Sequence, residues 1–209
     1  MSTNNTNAAQ HVPQVITESS RALLGESPVW DERTQTLYWV DIERGELHQC
    51  QADGSIETSL QIGERIGCIA LRRDRAGFIA GLERSIALII LNPLEIHRVA
   101  MLDENLPSNR CNDGKCDAAG RFWVGTCDTR WTHATGWIYR FDATRVRRER
   151  SARLFVRTGL PFLRTAERST VWTALAKSST NPILLRQVSF QGRGSSGNST
   201  CPGGAIPTD

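Results

Sequence analysis

Asp31, Asp74 and Asp117 stand 43 residues apart, and what recurs with them is a unit rather than a single residue. Each sits in a turn: Trp30-Asp31-Glu32-Arg33, Arg73-Asp74-Arg75-Ala76-Gly77 and Cys116-Asp117-Ala118-Ala119-Gly120. Each turn leads into an aromatic or β-branched segment: Leu37-Tyr38-Trp39-Val40-Asp41, Phe78-Ile79-Ala80-Gly81-Leu82 and Arg121-Phe122-Trp123-Val124-Gly125-Thr126. Asp favours turns because its carboxylate bonds nearby backbone amides, and branched or aromatic side chains suit a pleated, half-buried surface. Further short strands follow Gly45 (residues 46–50) and the Asp53-Gly54 pair (residues 56–60), with no helical periodicity between copies. A period of about 40–45 residues with four strands per unit is the pattern of β-propeller blades. The chain therefore reads as all-β, a propeller of four-stranded blades. Gly136-Trp137-Ile138-Tyr139-Arg140-Phe141 and residues 144–148 complete the third.

Composition narrows the function classes. Residues 1–144 carry 14 Lys and Arg against 19 Asp and Glu, whereas residues 145–209 carry 11 against 3. That basic end has neither the aromatic interleaving nor the motifs of nucleic-acid binders, so no nucleic-acid partner is expected. No apolar run reaches bilayer-spanning length, residues 86–91 reading as a core strand, so no membrane partner is expected either. The polar start lacks the apolar core of a secretory signal, and residues 1–16 read as a disordered leader. The six cysteines form no CxxC pair and have no His at zinc-finger spacing, so they are expected to be reduced in a cytoplasmic protein.

Polar chemistry is densest between Asn109 and Thr126. Asn112-Asp113-Gly114 has the composition of one turn and Asp117-Ala118-Ala119-Gly120 of another, with Lys115-Cys116 and residues 121–126 as short antiparallel strands. A cation and amides at a strand mouth suit a polyhydroxylated or carbonyl-bearing small molecule. The stretch by itself reads first as an ordinary hairpin with solvated tips.

Four segments together carry a family resemblance: Gly25-Glu26-Ser27-Pro28-Val29-Trp30, Leu37-Tyr38-Trp39-Val40-Asp41-Ile42, Asn109-Arg110-x-Asn112-Asp113-Gly114-Lys115-x-Asp117-x-x-Gly120-Arg121-Phe122-Trp123-x-Gly125-Thr126 and Gly136-x-x-Tyr139-Arg140. The chain resembles the SMP-30/gluconolactonase/luciferin-regenerating-enzyme (regucalcin-like) family over roughly residues 20–160. The resemblance implies a six-bladed propeller, about three blades of which are written here, and hydrolysis of a sugar lactone assisted by one divalent cation (Ca, Zn, Mn or Mg). It implies that Glu26 is a metal ligand and that Arg110 and Asn112 contact the lactone. A hard cation takes carboxylate and amide oxygens, polarises a carbonyl and acidifies a bound water. Asp128 could face the same channel, Asp113 and Asp117 read as turn formers, and His133 as a loop residue. The alternative is a non-catalytic calcium-binding or scaffold propeller. The sequence leaves the oligomeric state open.

The family pattern breaks near Phe162. Thr158 stands in Thr158-Gly159-Leu160 where the resemblance calls for a second ligand, an Asn, and the family's acid/base Asp has no counterpart, so no catalytic residue is assigned. Residues 17–162 are read as a partial propeller and residues 163–209 as a non-family tail, out of frame or disordered. Restarting translation at the third base of the Phe162 codon forces one informative codon: Trp172 ends in G and Thr173 begins with AC, which reads GAC, an aspartate. The chain as written is therefore expected to be catalytically impaired.

Overall fold

The computed structural model describes residues 21–73, 75–142, 145–154, 163–165, 168–175 and 184–191, with side chains through residue 148. Every regular element among them is a strand. The first sheet is β1 (Gly25–Asp31), β2 (Thr36–Asp41), β3 (Glu46–Gln51) and β4 (Thr58–Gln61). The second is β5 (Ile66–Leu71), β6 (Phe78–Leu82), β7 (Ser85–Leu91) and β8 (Leu94–Met101). The third is β9 (Asn109–Cys116), β10 (Phe122–Asp128), β11 (Gly136–Phe141) and β12 (Val146–Leu154). Each is an antiparallel meander with its strands in chain order. β13 (Leu163–Thr165), β14 (Arg168–Leu175) and β15 (Leu184–Gln191) pair as a three-stranded antiparallel sheet.

Blades are recognised by how the sheets meet. β5 packs against both β1 and β9, so the first strands of three successive sheets lie side by side. This is the arrangement of propeller blades around an axis, and it follows from two-faced burial of the middle sheet. Along β6, Phe78, Ala80 and Leu82 pack with residues of the first sheet, whereas Ile79 packs with the third. Along β7, Ala87 and Ile89 face the first sheet, and Ile86 and Leu88 face the third. A strand covered on both sides has no face for polar residues, which is why residues 86–91 are continuously apolar instead of alternating.

The repeated aspartates hold the hairpin between the first and second strands of a blade. Asp31 Oδ1 accepts from the Arg33 amide (3.0 Å) and Nε (2.9 Å), and Asp117 Oδ1 accepts from the amides of Ala119 (3.0 Å) and Arg121 (2.9 Å). Asp74 lies outside the described residues. The second carboxylate oxygen of Asp117 receives Arg121 Nε at 2.7 Å and the indole Nε1 of Trp123 at 2.8 Å, tying the turn to the buried strand that follows.

Two local expectations are corrected. The strand after Asp53-Gly54 begins at Thr58 rather than Ile56, because the Gln51 amide closes the hairpin on the Ser55 carbonyl at 2.9 Å. Ile56 is left at positive φ (53°) and 69% exposed. Asn112-Asp113-Gly114 is not a turn but the middle of β9. Asp113 pairs with Gly125 and Cys111 with Thr126, so Asn112 is the additional residue of a β-bulge. Gly114 is required by packing rather than by a turn: a Cβ there would come within 2.7 Å of Cys68 Sγ and 2.8 Å of the Trp123 carbonyl oxygen.

Candidate functional site

All three first strands are bulged. In β1, Glu26 pairs with Val40 and Val29 with Tyr38, leaving Ser27 and Pro28 opposite a single residue. In β5, Ile66 pairs with Leu82 and Cys68 with Gly81, leaving Gly67. In β9 the additional residue is Asn112. A bulge kinks its strand and re-aims the neighbouring side chains, which is why bulges recur beside functional sites. Here they also join the blades. Ser27 Oγ accepts from the Ile69 amide at 3.0 Å and donates to its carbonyl at 3.4 Å, bridging β1 to β5. Gly67 lies against β9 so closely that a Cβ would fall 2.4 Å from the Cys111 carbonyl oxygen. Glu26 and Arg110 each sit one residue from these contacts.

The predicted substrate residues are brought together. Arg110 is 2% exposed, and its Nη1 donates to Asn112 Oδ1 at 2.8 Å and to the Cys111 carbonyl at 2.9 Å. A guanidinium held at two points keeps its planar donor fork in one orientation. The guanidinium also lies 5.8 Å from the centre of the Trp131 ring. The segment before Arg110 is clamped as well: Asn109 Nδ2 donates to Asp103 Oδ2 (2.7 Å) and to the Thr135 carbonyl (3.0 Å), and Asn109 Oδ1 accepts from Thr135 Oγ1 (2.6 Å). Asp103 is the hub of this buried cluster, accepting also from Thr126 Oγ1 and Tyr139 OH, each at 2.5 Å. Burial, with the bond to Asp103, pushes the Tyr139 phenol well above its ordinary range. Sequence reading missed Asp103 and Trp131. Asp103 sits in a connection without a motif, and its positive φ (48°) is visible only in three dimensions.

Asp128 is buried, but its carboxylate serves the following loop rather than a channel. It accepts from the amides of Arg130 (3.3 Å), Thr132 (3.0 Å) and His133 (3.1 Å) and from Thr132 Oγ1 (2.9 Å). Burial raises its pKa, but the bonds from Thr132, His133 and Arg130 outweigh that and bring it down to about 2. His133 is a loop residue, as expected. Four of the cysteines, Cys50, Cys68, Cys111 and Cys127, are free and buried, whereas Cys116 is disulfide-bonded. Burial pushes the Cys127 thiol up to about 11 and raises those of Cys68 and Cys111 as well, which makes them unreactive at neutral pH.

Glu26 is exposed, and its carboxylate makes no hydrogen bond or ion pair among the described residues. Its oxygens have the chemistry a hard cation takes. One carboxylate is not a metal centre, however, and among the described residues no group of three or more His, Cys, Asp and Glu side chains could hold a metal ion. Thr158 lies outside the described residues. A cleft of about 460 Å³ is lined by Asp103, Glu104, Asn105, Leu106, Tyr139 and Arg148, and none of Glu26, Arg110 and Asn112 lines it. No helix among the described residues is long and apolar enough to cross a membrane.

Comparison with known proteins bears on the family and the fold. The family model described as SMP-30/Gluconolactonase/LRE-like region matches residues 24–174, past Phe162, where the quoted motifs stop. L-arabinolactonase of Azospirillum brasilense is 39% identical over 126 residues, covering 59% of this chain and 42% of that protein. 6-Deoxy-6-sulfogluconolactonase of Pseudomonas putida is 38% identical over 142 residues, covering 68% and 48%. The chain thus spans about half the length of the curated relatives it matches. Among solved structures, a calcium-binding regucalcin from Agrobacterium tumefaciens superposes with a TM-score of 0.59 at 25% identity, covering 63% of this chain and 44% of that one. A gluconolactonase from Xanthomonas campestris superposes with a TM-score of 0.60 at 15% identity, covering 83% and 60%, and shows the fold alone. Blade-like four-stranded sheets, the Asn109–Gly114 motif on an inner strand and a family match over most of the chain converge on one conclusion: this chain belongs to the SMP-30/gluconolactonase/LRE-like family of β-propellers.

Proposed function

We propose that this chain carries the substrate grip of a divalent-cation-dependent sugar lactonase that acts in the cytoplasm, and that as written it is catalytically impaired. The observation that carries the reading is the buried Arg110 guanidinium joined at 2.8 Å to the half-buried Asn112, an arrangement set by the β9 bulge. In such a site the guanidinium would donate to the ring and hydroxyl oxygens of a lactone, and Asn112 would complete its orientation. Holding a reactant in an attack-ready pose lowers the barrier by removing translational and rotational freedom in advance. The lactonase names among the relatives support the substrate class.

Glu26 would contribute one oxygen to the cation, which when bound polarises the lactone carbonyl and lowers the pKa of its water. Among the described residues no group of three or more His, Cys, Asp and Glu side chains completes such a site, and Thr158 in place of an Asn is the reason impairment is part of the reading. Residues 163–209 belong to the same proposal, as a segment read out of frame. Sequencing the transcript across codon 162 tests it: a missing or additional base supports the proposal, and an intact frame refutes it.

For the function itself, D-glucono-δ-lactone is offered to the purified chain with and without added calcium, zinc, manganese or magnesium. Measurable lactone binding with little hydrolysis is expected. Substantial metal-dependent hydrolysis would refute the impairment, and absence of lactone binding would refute the substrate reading. A second reading, a calcium-binding protein without turnover, draws on the likeness to the Agrobacterium regucalcin. It requires calcium to bind in calorimetry while no lactone does.

A further inference from the structure

A second side chain beside Arg110 has the character of a ligand-contacting group. We propose that Trp131 is a specificity-determining aromatic wall, which stacks against the C–H face of a ring-form sugar held by Arg110 and Asn112. The inference rests on the lactone reading for the identity of the ligand. Its support is the construction of the loop that joins β10 to β11.

Trp131 has φ of 57°, a conformation that bulky non-glycine residues rarely adopt. Such strain persists only where the surroundings over-determine it, and here they do. Asp128 gathers the amides of Arg130, Thr132 and His133, while the Trp131 amide itself donates to the Asp128 carbonyl at 3.1 Å. At one end of the loop the Thr129 amide donates to the Ser108 carbonyl at 2.8 Å, and at the other Thr135 exchanges hydrogen bonds with Asn109. Both anchors lie immediately before Arg110 in sequence, so the loop is tied to the strand that carries the grip.

This framework holds the indole with the Arg110 guanidinium 5.8 Å from the ring centre, while 36% of Trp131 stays open to solvent. Arg110 thus touches both an aromatic surface, Trp131, and an amide, Asn112. A sugar ring has polar edges and an apolar C–H face, so it needs both kinds of surface, and pockets for such ligands combine aromatic walls with a few polar groups. Because the indole is held by its own loop, it does not have to be ordered when the ligand arrives.

The test measures binding of two non-hydrolysable polyols by calorimetry: 1,5-anhydro-D-glucitol, which has a ring face, and D-sorbitol, which is linear. The full chain should prefer the ring. Trp131→Ala should lose about tenfold in ring affinity, roughly the contribution of one aromatic contact, and should lose the preference for ring over linear. Trp131→Phe should keep most of both. Unchanged ring affinity in Trp131→Ala overturns the wall, as does equal weakening for ring and linear polyols, which marks a merely structural role. Failure of the full chain to bind the ring polyol overturns it too. Ring binding that depends on Trp131 but is indifferent to Arg110→Gln sustains the wall and overturns the substrate grip.

Discussion

Asp117 shows how a single turn residue becomes a structural one. Its carboxylate caps the amides of Ala119 and Arg121 and also receives the Nε1 of Trp123, which is 2% exposed. Asp117→Ala would leave that indole donor buried without its acceptor, and we expect a loss of roughly 1–3 kcal/mol in urea unfolding. Asp117→Asn should lose less, because an amide oxygen still accepts. Asp128 makes a prediction about pH. Its folded pKa is lowered to about 2 from the ordinary 3.8, so its contribution to stability is present above about pH 4 and is lost as pH falls toward 2. Asp128→Asn should flatten that part of the acid-unfolding profile. If it leaves the profile unchanged, the loop clamp does not stabilise the fold.

At the scale of the element, the bulges matter more than the strands. Ser27-Pro28, Gly67 and Asn112 each interrupt the ladder of an inner strand, and all three are where blades touch, Ser27 on Ile69 and Gly67 against Cys111 and Asn112. Gly67→Ala would place a methyl 2.4 Å from the backbone oxygen of Cys111, which has no rotamer through which to yield. Overpacking of this kind costs about 1–3 kcal/mol, and the displaced β9 carries Arg110, so thermal midpoint and lactone binding should fall together. Gly25→Ala is the control. Its added methyl meets only the Ala22 side chain at 3.1 Å, so a smaller shift in the midpoint is expected.

Across the whole molecule, the middle sheet is common to both packed cores. Ile89 belongs to the cluster shared with the first sheet and Ile86 to the cluster shared with the third. Among the described residues, the core side chains of each flanking sheet pack against the middle one. Truncating Ile89 to Ala should therefore cost about 2–5 kcal/mol and shift tryptophan fluorescence and far-ultraviolet circular dichroism by the same amount. Separate transitions for the two signals would mean that the blades unfold independently.

Much of this architecture was legible in one dimension, because its causes are local. Turn chemistry at Asp31 and Asp117, the second strand after each turn and the apolar run on β7 depend on residue type and spacing, and their 43-residue recurrence is enough to specify blades. Glu26, Arg110 and Asn112 were singled out by the family resemblance of their two motifs, since local chemistry alone reads those segments as solvated turns. What local chemistry could not reveal was why Gly114 and Gly67 are glycines, since the atoms that exclude a Cβ come from distant strands. Asn-Asp-Gly has the composition of a turn, and only pairing with Gly125 and Thr126 makes it a bulge. Asp103 and Trp131 were invisible because nothing near them in sequence marks them. The residue types at the site were set by the sequence itself, whereas their assembly around Arg110 was decided by tertiary packing, because a buried guanidinium is oriented only by the partners that folding brings to it.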